Sequence, residues 1–186
     1  MDASGLETHQ FAHWNSIRTR RKRRRDFKKF HVAGEARGPE KIIYSAEITK
    51  ATRHDSPMLI PLLERINGDL GIVSGDKAYS CRKNTQYIAD RNGTPRLVPR
   101  KNVTTRSKGC PAWWDMVNEY RENNDEWMDE YHQRSNSEAI FWSFKKRQGS
   151  YLFSKRWRNK TIEVHLKVIV YNLRLLIRRK ARVALS

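Results

Sequence analysis

The order of strand-like and helix-like patterns in the first hundred residues constrains the fold of this chain more than any other feature. Residues 42–49 alternate between apolar and polar side chains, a period of two that is typical of a half-buried strand. A shorter strand-like stretch at 27–32 precedes it, and Gly34, Gly38 and Pro39 lie between the two. The pattern predicts an antiparallel hairpin. Its inner face would carry Ile42, Tyr44, Ala46 and Ile48.

A strand–helix–strand order follows this hairpin. Asp55 and Pro57 predict the capped start of a short helix with a buried leucine face. An apolar run at 70–74, a polar helical pattern at about 80–92 and a second apolar run at 96–99 predict two strands joined by a helix. Strands joined in this way are expected to be parallel.

The rest of the chain predicts one irregular segment and two long helices. Residues 100–125 contain Gly109 and Pro111, and we interpret them as a short insertion beside the core. A helix is expected over 126–147 and a C-terminal helix over 162–180. The apolar face of the C-terminal helix would consist of Ile162, Leu166, Ile169, Val170, Leu173, Leu176 and Ile177. At 186 residues, the chain is expected to form a single α/β domain over 1–186.

The charge of the chain indicates a polyanionic partner. It has 38 Lys plus Arg against 20 Asp plus Glu, a formal net charge of +18. Residues 18–29 carry nine basic side chains against one acid, a density that phosphate would neutralise. We expect this segment to contact DNA through Arg21, Arg23, Arg24 and Arg25. The alternatives are a solvated loop that orders on DNA, and a basic chain that is merely soluble.

Neither a signal sequence nor an apolar run of about 18 residues is present, so the sequence predicts no membrane contact and a cytoplasmic, nucleoid-associated location. Cys81 and Cys110 lack a metal-type spacing and are expected to be reduced structural thiols. A zinc site that combines them with His9 and His13 is the rival interpretation.

One helix face between residues 131 and 145 combines chemistry that suits phosphate. At 100° per residue, an arc of roughly 80° holds a phenol, a guanidinium, a carboxylate, an indole and an ammonium group. These belong to Tyr131, Arg134, Glu138, Trp142 and Lys145. Such a face could hold a metal ion with its carboxylate and phosphate oxygens with its cations. A solvated face with ion pairs one turn apart is the alternative.

Phosphodiester chemistry needs divalent cations held by carboxylates from separate elements. Asp2, Asp76 and Glu138 are candidates for this role. The spacing Tyr-x2-Arg-x3-Glu-x6-Lys from Tyr131 to Lys145 resembles the signature of the bacterial and archaeal DDE insertion-sequence transposases. The segments at 2–5 and 75–79 resemble those around that family's two catalytic aspartates.

The resemblance implies a ribonuclease-H-like fold, a mixed five-stranded sheet flanked by helices. It implies that Asp2, Asp76 and Glu138 bind two Mg²⁺ (or Mn²⁺) ions, and that Tyr131, Arg134, Trp142 and Lys145 bind DNA. The implied partners are double-stranded DNA, both transposon ends and target, and a second copy in a homodimer on DNA. The activity would be strand cleavage at transposon ends and strand transfer into target DNA.

Two departures from the family pattern matter. Only Met1 precedes Asp2, so the first strand is expected to be largely missing and the chain N-terminally truncated. The insertion at 100–125 is short, although Trp113, Trp114 or Trp127 could stack on a base. The rival function is an inactive remnant that binds DNA non-specifically, and a structural nucleic-acid protein is a third possibility.

Overall fold

The structure is a computed structural model that describes residues 1–8, 27–35 and 40–185. These residues form five strands and six α-helices. The strands are β1 (Asp2–Glu7), β2 (Phe27–Gly34), β3 (Ile43–Lys50), β4 (Ile72–Gly75) and β5 (Thr94–Leu97). The helices are α1 (Leu59–Glu64), α2 (Arg82–Asp90), α3 (Pro111–Glu122), α4 (Asn124–His132), α5 (Asn136–Gln148) and α6 (Trp157–Leu185).

The strands form two sheets. The first is antiparallel in the order β1-β2-β3, and the second consists of the parallel pair β4-β5. The predicted hairpin and the predicted parallel crossover are both present, but the single five-stranded sheet is not. The point of separation is the start of β1, where Asp2 lies opposite Val32 of β2. Here β1 reaches β4 through the Met1 amino group, which donates to the Ser74 carbonyl oxygen at 2.5 Å.

The expectation of a largely missing first strand was wrong. Strand β1 has six residues, and each of them has a partner in β2, from Asp2 opposite Val32 to Glu7 opposite Phe27. Asp2 is therefore held by a complete antiparallel ladder on one side.

A register shift changes which residues of β3 are buried. The shift lies at Ala33 and Gly34 of β2 and brings Gly34 opposite Ile43. As a result Ile43 is 2% exposed and Tyr44 is 53% exposed, so the prediction that Tyr44 faces the core was wrong. A bulge of this kind inserts one residue into the alternation and moves the side chains before it to the opposite face.

An aromatic cluster covers one face of the first sheet. Phe30, at the centre of β2, contacts Phe141 and Phe144 of α5 with ring centroids 5.9 and 4.8 Å apart. Phe144 in turn meets Tyr171 of α6 edge to face at 5.6 Å. Both helices are thereby attached to the same face of the sheet. The other face packs on α1 through Ala33 and Leu62.

A buried arginine organises the second sheet. Arg96 of β5 forms ion pairs with Glu119 of α3 at 2.7 Å and with Glu130 of α4 at 2.6 Å. Its guanidinium also lies 5.7 Å from the ring centre of Trp127. This network fixes α4 on the sheet. Because Trp113 and Trp127 are 4% and 1% exposed, they belong to the core and cannot stack on a base, whereas Trp114 is exposed.

Two predicted segments differ from the structure. The insertion at 100–125 contains the helix α3, which begins at Pro111 and buries Trp113, Met116 and Val117 at helical spacing. The helix expected over 126–147 is divided into α4 and α5 by a 3₁₀ turn at Gln133–Ser135. The Ser135 hydroxyl donates to the His132 carbonyl oxygen at 2.8 Å, and such a bond competes with helical bonding.

The C-terminal helix expected over 162–180 lies inside α6, which has 29 residues. Among the residues that the structure describes, α6 and the shorter helices are too polar or too short to cross a membrane.

Replacement of Phe30 by Ala should lower the free energy of unfolding by about 3–5 kcal/mol, because it empties the centre of the aromatic cluster. Urea unfolding followed by circular dichroism measures the change. Trp114→Ala, at an exposed aromatic on α3, is the matched control and should change stability by no more than about 0.5 kcal/mol. Equal stability of the two variants would show that the cluster does not hold the helices.

Candidate active site

Asp2 lies on the face of β1 that is covered by α5. Its Oδ2 accepts a hydrogen bond from the Ser137 hydroxyl at 3.1 Å and lies 3.5 Å from Nη2 of Arg134. Its Oδ1 accepts from the Ala3 backbone N–H at 2.8 Å. One carboxylate oxygen therefore points toward the start of α5, and the other is held by the strand.

Asp76 follows the last residue of β4. Its carboxylate accepts a hydrogen bond from the Lys77 backbone N–H at 2.6 Å and caps the 3₁₀ turn Lys77–Tyr79. The preceding Gly75 lies under Tyr79, since a Cβ at this position would be 3.2 Å from the tyrosine ring and 3.1 Å from Leu97. The close packing at Gly75 sets the direction in which the chain leaves the strand.

Arg134 connects the two aspartates. Burial lowers the pKa of its guanidinium, but Tyr131 and the carboxylates of Asp2 and Asp76 outweigh burial and leave the pKa raised. The Arg134 guanidinium donates a hydrogen bond to the Tyr131 hydroxyl, and burial raises the pKa of this phenol. The Tyr131 ring stacks on Trp127 at 5.7 Å. Arg134 thus contacts Asp2 and Tyr131, and the charge of Asp76 also acts on it.

Lys145 reaches β1 two residues beyond Asp2. Its ammonium donates to the Ser4 hydroxyl at 2.7 Å, and burial lowers the pKa of this lysine. Asp2 and Ser4 share one face of β1, so the strand presents a carboxylate and a hydroxyl in a row beneath α5.

Glu138 and Trp142 lie on a more exposed side of α5. Glu138 is in the first turn of the helix, next to Ser137, and its side chain is exposed. Trp142 is 65% exposed, and the Lys146 ammonium lies 4.6 Å from its ring centre. Within the described ranges, no group of three His, Cys, Asp or Glu side chains is close enough to hold a metal ion. Asp2 and Asp76 both influence Arg134 electrostatically, whereas Glu138 is exposed in the first turn of α5.

The donor chemistry of the site suits a hard divalent cation. Carboxylate oxygens are the protein ligands that Mg²⁺ prefers, and the carboxylates of Asp2 and Asp76 both act on the charge of Arg134. In this arrangement the guanidinium of Arg134 is the positive charge beside them.

Two buried polar atoms beside the aspartates lack a hydrogen-bond partner among the described residues. They are the Tyr79 hydroxyl and Nε of Arg134. Burial, followed by the carboxylates of Asp55, Asp2 and Asp76, raises the pKa of Tyr79. A cavity of about 470 Å³ lies between the two sheets and has Arg134 and Ser137 in its wall. Buried polar groups without partners are costly, so the hydrogen bonding around Tyr79 and Arg134 is incomplete.

Asp55 does not cap a helix with its side chain, so that prediction was wrong. Its Oδ1 instead accepts a hydrogen bond from the Lys29 ammonium at 2.9 Å and lies 3.7 Å from Nδ1 of His31. His31 is fully buried, and its Nε2 forms a hydrogen bond with the Thr49 hydroxyl at 2.8 Å. Burial lowers the pKa of His31, and Asp55 partly offsets this effect.

Several sequence predictions fall outside the described residues. These are the contacts of Arg21, Arg23, Arg24 and Arg25 and a role of His9 and His13 in a zinc site. Lys28 and Lys29, at the end of the basic segment, belong to β2. Cys81 and Cys110 are free thiols.

Sequence reasoning missed three polar residues of the site: Ser4, Tyr79 and Ser137. Alternation along β1 was the available signal for Ser4, because it shares a face with Asp2. Ser137 and Tyr79 carry no such signal, since their positions depend on how α5 and the turn after β4 pack on β1.

A family model described as a transposase DDE domain matches residues 1–173 of the 186. No curated protein and no solved structure matches the chain significantly.

Removal of the buried histidine next to Asp55 should change the pH dependence of stability. The folded pKa of His31 lies below its ordinary value of 6.5, so the unfolded chain binds more protons between the two values. Stability is therefore complete above about pH 6.5 and is lost as the pH falls, by up to about 1.4 kcal/mol per pH unit. His31→Gln should flatten this loss between pH 8 and pH 5 in urea titrations. The control His132→Gln, at an exposed histidine, should behave as the parent does. Identical slopes for the parent and His31→Gln would contradict this account.

Proposed function

The chain belongs to the transposase DDE domain family, and from this membership we propose that it cuts DNA strands at transposon ends and joins them to target DNA. The observation that carries the proposal is that Asp2 lies 3.5 Å from Arg134, while the charge of Asp76, which follows the other sheet, also raises the pKa of that guanidinium. Two carboxylates beside an incompletely bonded guanidinium suit a reaction in which metal ions and phosphate are bound together.

Asp2, Asp76 and Glu138 are the residues that would hold Mg²⁺ or Mn²⁺. Bound divalent cations supply activation of a nucleophilic oxygen and stabilisation of the leaving oxygen in phosphodiester chemistry. The backbone N–H groups of Ala3 and Lys77 orient the two aspartates. Such support from surrounding groups is what keeps carboxylate ligands in position.

Arg134 and Lys145 would bind the phosphates that flank the cleaved bond. The Arg134 side chain is partly exposed, at 22%, so its guanidinium can be reached by a phosphate oxygen. The Lys145 ammonium donates to the Ser4 hydroxyl, so its positive charge lies beside the strand that contains Asp2. Tyr131 holds the guanidinium through its hydroxyl, while its ring is fixed on Trp127. The exposed ring of Trp142 is available to stack on an unpaired base.

The proposed partner is double-stranded DNA, with the basic segment at 18–29 as a sequence-independent contact to its phosphates. The net charge of +18 supports an electrostatic contribution of this kind. Action on two transposon ends also favours a homodimer on DNA.

A DNA-binding protein without catalysis is the second candidate function. The observation that favours it is the position of Glu138, which is exposed and forms no three-carboxylate cluster with Asp2 and Asp76 within the described part of the chain. The two candidates differ in metal-dependent cleavage.

We expect Mg²⁺- or Mn²⁺-dependent nicking of supercoiled plasmid, and its loss in Asp76→Asn and in Glu138→Gln. Each change removes a metal-binding charge, and the rate should fall by more than about 100-fold, the upper range for changes around metal ligands. Glu122→Gln, an exposed carboxylate on α3, is the matched control and should cut at the parent rate. If both test variants cut as the parent does, the site assignment is wrong. Binding of DNA by a parent protein that never cuts would support the second candidate.

We also expect steeply salt-dependent DNA binding from the basic segment. Simultaneous replacement of Arg21, Arg23, Arg24 and Arg25 by Ala should reduce the slope of log affinity against log salt by as much as about 3.6, at about 0.9 for each phosphate contact. Fluorescence anisotropy with a labelled duplex between about 50 and 200 mM salt measures the slope. The control replaces four exposed cations of another loop, namely Arg100, Lys101, Arg106 and Lys108. A larger effect of the control than of the test variant would place the DNA on the other surface.

A further inference from the structure

The C-terminal helix α6 has two apolar faces, and the first sheet covers one of them. The inner face packs on the sheet through Val164, Val168, Tyr171 and Leu175, which are at most 9% exposed. The orientation of the helix is fixed by hydrogen bonds, because Asn172 donates to the Ile43 carbonyl oxygen at 2.7 Å and accepts from the Ile43 N–H at 3.0 Å. The opposite face therefore cannot turn toward this core.

The opposite face carries an exposed aliphatic row, which we call the outer stripe. It consists of Ile162, Leu166, Ile169, Leu173 and Leu176, with exposures of 48%, 56%, 53%, 51% and 46%. Val170 and Ile177 flank it and are 49% and 66% exposed. The sequence predicted this face as the apolar face of the helix, and the structure leaves it uncovered by the described residues.

The spacing of the outer stripe is specific to helix pairing. Its members are separated by four, three, four and three residues, an average of 3.5 that keeps a straight seam against another helix. Val170 and Ile177 flank the outer stripe, and with them the apolar surface is as wide as the one that helices in bundles bury. A seam of this kind is complementary to itself when two copies are related by a two-fold axis.

The area available matches what a dimer needs. Seven aliphatic residues about half exposed offer on the order of 500 Å² per copy, and two copies together bury about 1,000 Å², the lower bound of a specific interface. A continuous apolar patch of this size on a single surface marks a site of interaction.

We propose that the outer stripe of α6 binds the outer stripe of a second copy of this chain in an antiparallel helix pair. The helix dipoles select the direction, because they oppose a parallel arrangement.

The antiparallel pair has a defined register. With the two-fold axis between Ile169 and Val170, Ile162 meets the partner's Ile177, and Leu166 meets the partner's Leu173. The cations at 178–180 then lie beside residues 159–161 in the first turn of the partner helix. This inference rests on the homodimer of the proposed function and gives it a surface that uses no residue of the candidate active site.

Sedimentation velocity at about 0.5 M salt, where charge repulsion between copies is screened, tests the surface. The parent chain should sediment as a species of twice 22.1 kDa. Leu166→Gln with Leu173→Gln should weaken dimerisation by at least about 100-fold, whereas Arg174→Gln with Arg178→Gln, which leaves the stripe intact, should not. Circular dichroism should show equal helix content in all three proteins, because the changed side chains are exposed. A parent that is monomeric at about 100 μM, or a stripe variant that dimerises as the parent does, would overturn the proposal.

Thiol cross-linking tests the direction of the helices. In a background with Cys81→Ser and Cys110→Ser, a cysteine at Ile169 lies beside the axis and should cross-link two copies with a short bis-maleimide. A cysteine at Ile162 should not, since its counterpart lies at the far end of the seam. Cross-linking at both positions would show a parallel pair and overturn the antiparallel assignment, and cross-linking at neither would exclude the stripe as the interface.

Discussion

The packing of Phe30 against Phe141 and Phe144 is the contact on which the arrangement of the site depends. Phe30 occupies the centre of the three-stranded sheet, and the two rings on α5 lie against it at 5.9 and 4.8 Å. Once these rings are buried, the helix can rotate or slide very little without opening a void. The polar residues that precede and follow them on α5 are consequently held over β1, where Ser137 meets Asp2 and Lys145 meets Ser4.

The candidate site forms where the two sheets approach each other. Asp2 belongs to the antiparallel sheet, and Asp76 follows the parallel pair, so neither sheet contains the site by itself. Arg134 lies in the 3₁₀ turn between α4 and α5, and each of these helices is anchored on a different sheet. The turn thus places a cation beside Asp2 and within the electrostatic influence of Asp76. A polar site supported in this way depends on long-range packing more than on local sequence.

Local periodicity predicted the elements well and their assembly less well. The strand at 43–50, the crossover from β4 to β5 and the C-terminal helix follow from patterns within single segments. The errors arose where a distant contact decides the outcome. Tyr44 is exposed because it is the extra residue of a bulge in β3, with no partner in β2, and the long helix is divided at Gln133–Ser135. No pattern along the sequence indicates that a sheet is divided in two, because this depends on where the edges of β1 and β4 meet.

The candidate site was likewise predicted in part from the sequence. Asp2, Asp76, Arg134 and Tyr131 were named from their types and spacing; Arg134 contacts Asp2 and Tyr131, and the charge of Asp76 raises its pKa. The residues that the sequence did not indicate obtain their partners through tertiary packing. Ser137 is a common residue type that becomes a partner of Asp2 because of the packing of α5, and Asp55 pairs with Lys29 because β2 passes beside it.

The periodicity of α6 illustrates what a pattern can and cannot establish. A helix that is apolar on two opposite faces is typical of a helix buried between two layers, yet the described residues provide a layer on one side. The inner face is partly polar and includes His165 and Asn172, whose side chains bond to backbone atoms of β3. The outer stripe is the more uniformly aliphatic of the two, which explains why the sequence identified it first. An aliphatic surface is stable in water mainly when another surface covers it. The more apolar face of α6 is nevertheless the face that lies opposite the core.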